Sequence, residues 1–357
     1  MLIYFLLFLF VTVAASRDFL KVPFLFKDIF GYILLVILIC FFGFRYECDN
    51  DYNNYVGIYK STPSLANGIT EVAAYGLLVG VEIGYCIISA WFIMIDLGPQ
   101  SVFIFSAILT FGIMHQVFRK HSVYPGLAML IYFSQFFSLP FIQMRYGIAM
   151  ALVLLACVYL FRGNKLAFWL LILCGTLFHI SAIGGIAVFF FYLINWEKRP
   201  VALWTALVGS LFIMLLPMRS ILVAAMGSVG IDKYTKLYAD TESASPISTL
   251  VSIILLLPFV YFRKNLKGLD VKVNELLSMG LSSVFIGCLV WQLGILNRFS
   301  MITASSFCLI IPVYLSLLKT RKDKLVGFIL LIVYCFFKFL PSINHVTDYQ
   351  MFLTHSL

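Results

Sequence analysis

The sequence predicts an all-α protein that crosses a membrane many times, and three observations carry this prediction. Of the 357 residues, 62% are hydrophobic and only 11% are charged. The mean hydropathy is +1.01, and a soluble domain of this length could not bury so much apolar surface. No stretch alternates apolar and polar residues persistently, which argues against a membrane β-barrel.

About twelve apolar segments, separated by polar residues, are candidate transmembrane helices. Several are shorter than the ~20 residues that a perpendicular helix needs, so their ends are approximate. The first has no basic region before it, and Arg17, Lys21 and Lys27 follow it, so we expect it to remain in place rather than to be cleaved as a signal peptide. The predicted spans are 1–15, 29–44, 100–118, 123–140, 147–161, 166–181, 183–195, 201–217, 247–262, 274–295, 299–318 and 325–340.

The segment 71–97 is apolar but carries Glu71, Glu82 and Asp96. We expect a re-entrant or amphipathic segment rather than a full crossing, because irregular backbone is tolerated at membrane depth where it lines a cavity. No internal repeat is visible. We therefore expect a single transmembrane domain over 1–357, with outer loops 45–99 and 217–247.

The topology follows from the distribution of positive charge. Most of the 25 lysines and arginines fall in loops that the positive-inside rule places in the cytoplasm, and both termini then face outward. The net charge of +9 is explained by these loops lying near anionic lipid, and not by nucleic acid. The cytoplasmic loops are 16–28, 119–122, 162–165, 196–200, 263–273 and 319–324.

Three arginines depart from this pattern. Arg45, Arg145 and Arg298 each lie at the end of a predicted span on the outer face. A cation there can simply extend to lipid head groups, the interpretation that we favour for Arg219. Guanidinium groups also bind phosphate through two parallel hydrogen bonds and stay charged in a partly dry site. The three positions therefore predict a polyanionic ligand, such as a lipid-linked phosphate.

Five short motifs surround these arginines. They are Arg45-Tyr46-Glu47-Cys48-Asp49-Asn50-Asp51-Tyr52-Asn53-Asn54-Tyr55, Glu82-Ile83-Gly84-Tyr85, Arg145-Tyr146-Gly147-Ile148-Ala149, Phe178-His179-Ile180-Ser181-Ala182 and Asn297-Arg298. In this order and spacing, from about Phe30 to Leu318, the chain resembles the EpsG family of exopolysaccharide and O-antigen polymerases, the Wzy type. Tyr146 stands where family members often have Gln.

The resemblance implies a large membrane glycosyltransferase with a GT-C-like fold in the inner membrane of a bacterium. Such an enzyme transfers a growing glycan from undecaprenyl diphosphate to another lipid-linked repeat unit at the outer face, with inversion. The partners implied are the undecaprenyl-diphosphate-linked oligosaccharide, membrane lipid, a chain-length regulator and a flippase. No nucleic acid and no cofactor are expected.

The expected site residues fall into two groups. As proton acceptor in catalysis we rank His179 first and Glu82 second, with Asp51 as a further candidate. The expected substrate-binding residues are Arg45, Arg145, Arg298, Asp49, Tyr52, Tyr55, Tyr85 and Tyr146. Each has a structural alternative: His179 as a core histidine, Arg45 as the partner of Asp49 or Asp51, and the tyrosines as interfacial residues.

A metal site is not expected. The eight cysteines include no CxxC pair, so neither a disulfide framework nor a zinc site is predicted, and Asp49-x-Asp51 is only a weak candidate for a divalent ion. Two other functions stay open. A glycan ligase shares the donor chemistry, and a flippase of lipid-linked oligosaccharide would more naturally show two related halves.

Overall fold

The computed structural model describes residues 1–19, 24–228, 243, 245–268 and 272–354, and these residues are almost entirely helical. The first half contains α1 (Leu2–Ser16), α2 (Phe24–Gly43), α3 (Tyr52–Ser61), α4 (Ile69–Val79), α5 (Ile83–Met94), α6 (Gln100–His121), α7 (Pro125–Phe136), α8 (Ser138–Phe141) and α9 (Met144–Phe161). The second half contains α10 (Lys165–Phe178), α11 (Ile186–Tyr192), α12 (Pro200–Leu215), α13 (Met218–Ser228), α14 (Pro246–Phe262), α15 (Val273–Val290), α16 (Asn297–Ala304), α17 (Phe307–Leu317) and α18 (Arg321–Ile343). A 3₁₀ segment, Ile180–Gly185, links α10 to α11.

Local sequence signals set several helix boundaries. The Asn164 side chain accepts a hydrogen bond from the main-chain nitrogen of Ala167 at 2.9 Å and so caps α10. Pro246 occupies the first turn of α14, where its missing N–H costs nothing, and Ser245 caps that helix. Gly80 ends α4 with φ of 69°, a left-handed conformation that glycine adopts without strain.

Five helices are long and apolar enough to cross a membrane, judged by length and composition: α1 with the residues up to Phe19, α6, α9, α15 and α18. The number rises to seven if two bent pairs each count as one span. These pairs are α12 with α13, bent by 82°, and the helices around Ser305, bent by 48°. The chain is therefore a polytopic helical membrane protein, while the expected twelve spans and the GT-C-like arrangement stay predictions.

Two helices form the centre of the bundle. In both α9 and α15, 78% of the apolar stretch is buried inside the protein. In α18 the buried share is only 22%, so this helix must face lipid along most of its length. Helix α9 packs against α6 and α10, and α15 packs against α11, α12 and α14. Residues at the ends of α9 and of its neighbours are thus held by the best-packed part of the molecule.

The segment 45–99 folds into three helices on the surface of this bundle. Helices α4 and α5 pack against each other, and at 1.5 Å per residue each is roughly half as long as the ~30 Å hydrocarbon core is thick. The end of the chain holds this segment in place through isolated bridges from Arg45 to Met351 and from Asp49 to Val346. Of the expected outer loop 217–247, residues 229–242 and 244 lie outside the described residues.

Candidate functional site

The first turn of α9 brings Arg145 onto the segment 45–99. Its Nη1 donates to the Glu82 carboxylate, which precedes α5, in an ion pair whose side chains are 22% and 23% exposed. The guanidinium also lies 5.5 Å from the ring centroid of Tyr55 and 5.9 Å from that of Tyr85, so cation–π attraction orients it further. The pair is thus well positioned and still accessible.

A cleft of about 550 Å³ opens beside this pair. Asp51, Tyr55 and Arg145 line it, together with small and polar residues such as Asn53 and Asn54. Asp51 stands immediately before α3 but makes no capping hydrogen bond with its side chain. The cleft therefore offers a guanidinium and a half-buried carboxylate to the same ligand.

His179 lies at the break between α10 and the 3₁₀ segment. Its Nδ1 accepts a hydrogen bond from the main-chain nitrogen of Ser181 at 3.2 Å. A neutral imidazole that accepts at Nδ1 carries its proton on Nε2 and offers a donor there. With Nδ1 engaged in this way, the neutral ring presents an N–H donor at Nε2, while the role of His179 as proton acceptor stays a prediction.

Arg298 reaches the same region from α16. The buried Tyr146 hydroxyl donates to the main-chain oxygen of Arg298, and the Tyr146 ring packs edge-on against His179 with centroids 4.9 Å apart. Both Arg145 and Arg298 lie near enough to the imidazole to act on it electrostatically. Among the described residues, no hydrogen bond or ion pair engages the Arg298 guanidinium.

Two glycines permit this convergence. A Cβ added to Gly84 would lie 2.5 Å from the main-chain oxygen of Leu177, two residues before His179. A Cβ added to Gly184 would lie 2.8 Å from the main-chain oxygen of Phe299, next to Arg298. Real side chains essentially never approach so closely, so only glycine lets α5 and α16 pack against the two ends of the His179 segment.

Arg45 and Asp49 form a separate, closed pair. The Arg45 Nε donates to Asp49 Oδ2 at 2.9 Å, and the two side chains are 1% and 0% exposed. Arg45 Nη1 also donates to the main-chain oxygen of Phe42 at 2.7 Å, and its guanidinium lies over the rings of Phe103 and Phe141. Burial raises the pKa of Asp49, although Arg45 opposes that rise. The structure therefore does not bring Arg45 and Asp49 to the cleft with Arg145.

All four of the predicted substrate-binding tyrosines, Tyr52, Tyr55, Tyr85 and Tyr146, are buried. The hydroxyls of Tyr52, Tyr85 and Tyr146 all donate to protein acceptors. Tyr52 stacks on Phe103 at 4.8 Å, and burial raises its pKa to about 12, so it stays a donor to Gln100. These rings are placed to support their neighbours rather than to stack on a sugar. Only Tyr55 of the four lines the cleft.

The pair Asp49-x-Asp51 does not present two free carboxylates to a cation. Asp49 Oδ2 accepts from Arg45, and Asp49 Oδ1 accepts from the main-chain nitrogen of Asp51 at 3.0 Å. Both oxygens of Asp49 are thus engaged within the protein.

Gln100 is a positioning residue that the sequence reasoning missed. Its Nε2 donates to the main-chain oxygens of Gly43 and Arg45, and its Oε1 accepts from Tyr52. It thereby fixes the exit of α2 relative to α6. A polar residue at the start of an otherwise apolar helix was the available signal.

The described residues define a polytopic helical membrane protein with a polar cleft in which groups from α3, α4 and α9 meet. The model of the EpsG family matches residues 28–355, nearly the whole chain. The chain belongs to the EpsG family, as its motifs suggested. Membership supports a role in polysaccharide biosynthesis as a polymerase of the glycosyltransferase kind. Comparisons with curated proteins and with solved structures give no significant match.

Proposed function

We propose that this protein is a polysaccharide polymerase at the outer face of a bacterial inner membrane. It transfers a growing glycan from undecaprenyl diphosphate to a second lipid-linked repeat unit. The observation that carries the proposal is the convergence of Arg145, His179 and Arg298 from three different elements. Two guanidiniums and an N–H donor are the groups that stabilise the charge of a departing diphosphate.

The reaction is a single displacement with inversion. The acceptor hydroxyl oxygen attacks the anomeric carbon on the face opposite the diphosphate. The bond from that carbon to the diphosphate oxygen breaks, and its electron pair leaves with the lipid diphosphate. Arg145 and Arg298 neutralise the charge that develops there, and the Nε2–H of His179 donates to a phosphate oxygen.

A carboxylate takes the proton of the acceptor hydroxyl. Glu82 is already engaged as the hydrogen-bond acceptor of Arg145. Asp51 lines the same cleft and makes no capping hydrogen bond with its side chain. We therefore assign Asp51 as the general base, a role that typically contributes ~10²–10⁴-fold, and Glu82 as the residue that positions Arg145.

A lipid profile of a strain that lacks the protein tests the function. Loss of a polymerase leaves single lipid-linked repeat units on the outer leaflet. Accumulation of those units on the inner leaflet would identify a flippase instead. Full-length polymer that stays on its lipid carrier would identify a ligase.

Complementation of that strain tests the base. Asp51→Asn keeps the shape of the side chain and removes the proton acceptor, so polymer should fall by about 100-fold or more at equal protein level. Asp96→Asn is the matched control, because Asp96 lies in the same segment outside the cleft. Equal polymer from the two variants would move the role of base away from Asp51.

A further inference from the structure

A second polar cavity lies on the other side of α16 from the His179 segment. It has a volume of about 160 Å³, the room of about five water molecules at ~30 Å³ each. Helices α7, α14, α15, α16 and α18 enclose it. Polar groups are costly inside a helical membrane bundle and cluster there around ligand pathways, so this cavity requires an explanation.

Three of the five hydroxyls that line the cavity, those of Ser248, Ser252 and Ser300, already donate to the protein. Ser252 donates to the main-chain oxygen of Ser248 at 3.1 Å, and Ser300 donates within the first turn of α16, to Asn297. Each hydroxyl has one proton and two lone pairs. Toward a ligand, these side chains therefore act as acceptors.

Gln135 adds another acceptor. Its Nε2 donates to the Tyr334 hydroxyl, while its Oε1 is buried and has no hydrogen-bond partner among the described residues. Buried polar atoms in proteins are almost always paired, so an unpaired carbonyl oxygen beside a cavity points to a ligand that donates. The one charged side chain that lines the cavity in the described part of the chain is Lys338, and no carboxylate does.

We propose that this cavity is a carbohydrate subsite that holds one sugar ring of a lipid-linked glycan. A pyranose carries several hydroxyl donors for the serine, threonine and glutamine oxygens, and its own oxygens can accept from Lys338. A phosphodiester has no donors at neutral pH and would leave the acceptor lone pairs of Ser248, Ser252, Ser300 and Gln135 unmatched. Since Asn297 lines the cavity and Arg298 follows it in α16, the sugar ring binds close to the arginine that faces the diphosphate.

This subsite rests on the proposed polymerase function, and kinetics of the purified protein test it. The protein in nanodiscs is given the lipid-linked repeat unit isolated from the deletion strain. Thr249→Val and Ser252→Ala each remove one lining hydroxyl. Each should raise KM about three- to tenfold, the range expected for one hydrogen bond, with kcat kept within about twofold.

The controls match in chemistry, and Thr110 also matches Thr249 in burial. Thr110→Val and Ser210→Ala remove buried hydroxyls from α6 and α12, away from the cavity. Their KM should equal that of the wild-type protein. If Thr249→Val and Ser252→Ala behave like these controls, the cavity holds water only and the proposal is wrong.

A binding readout separates this inference from the function. In Ser252→Cys, a small thiol reagent should label the new cysteine, and the isolated lipid-linked repeat unit should slow that labelling at least threefold. The wild-type protein gives the background from the native cysteines. Protection without any polymerisation would keep the subsite and refute the polymerase. Polymerisation without protection would refute the subsite alone.

Discussion

Arg145→Lys tests the site most directly, because it keeps the charge and changes only the geometry of the donors. The guanidinium donates to Glu82 and lies over two tyrosine rings, which fix its plane. An ammonium is a point charge that cannot hold Glu82 and bind a phosphate through two parallel hydrogen bonds. Side chains that are only about one-fifth exposed make the loss larger than at an open surface.

The expected loss follows from the number of donors removed. Deleting one donor to a developing oxyanion costs ~10²–10³-fold in kcat, about 2.7–4 kcal/mol. Lysine retains its charge and one donor, so we expect the lower end, about 100-fold. The assay is polymer formation from the isolated lipid-linked repeat unit in nanodiscs, at equal protein concentration.

Arg119→Lys is the matched control for this substitution. Arg119 also forms an ion pair, with Asp28 at 2.7 Å, and also lies over a tyrosine ring, that of Tyr32 at 5.8 Å. Arg119 lies in the last turn of α6 and does not line the cleft. Its activity should stay within about twofold of wild type. If Arg145→Lys also stayed within about threefold, Arg145 would be an ordinary interfacial cation.

Three further predictions follow from the other contacts. His179→Asn keeps a side-chain oxygen that can accept from the Ser181 N–H, but it loses the N–H donor that His179 has at Nε2. His179→Gln has a longer side chain and keeps an N–H donor near the position of Nε2. We expect the Gln variant to keep at least tenfold more polymerase activity than the Asn variant, and the reverse order would show that His179 acts only as a helix cap. Asp49→Asn leaves the buried Arg45 charge unpaired and should cost about 3–5 kcal/mol of stability, measured as a large fall in the melting temperature in detergent; an unchanged temperature would contradict the closed pair. A cysteine introduced at the exposed Asn53 should react with an impermeant reagent in intact cells, and labelling only after lysis would overturn the proposed topology and the site built on it.

The sequence singled out three residues that line the cleft, Asp51, Tyr55 and Arg145, but not the pairing of Arg145 with Glu82. Arg145 and Glu82 were both candidates because each is a charged residue at the end of an apolar segment. Nothing local to either position indicates that they meet across 63 residues of chain. Their contact depends on how α5 packs against α10, which Gly84 permits through a single close approach. A glycine in an apolar run does not reveal which backbone it faces.

The surroundings of His179 could not be predicted from the sequence for a different reason. The sequence placed it within the continuous span 166–181. In the structure the helix ends at Phe178, and the imidazole caps the next turn. Hydropathy records apolar length and not such breaks. It likewise merges α16 and α17 into the single predicted span 299–318, although the chain bends by 48° between them.

Burial, and not residue type, separates the two arginine–carboxylate pairs of this protein. The pair Arg45–Asp49 is closed off from solvent, so an incoming phosphate would have to displace the Asp49 carboxylate and leave it buried without its partner. The pair Arg145–Glu82 is exposed enough for a diphosphate to share the guanidinium with Glu82 or to replace it. Under the proposed function, Arg145 keeps an anionic partner throughout, with the Glu82 carboxylate bound in the empty site and the phosphate bound during transfer. The same pair of functional groups is therefore part of the packed interior at one position and, in the proposed function, forms a binding site at the other.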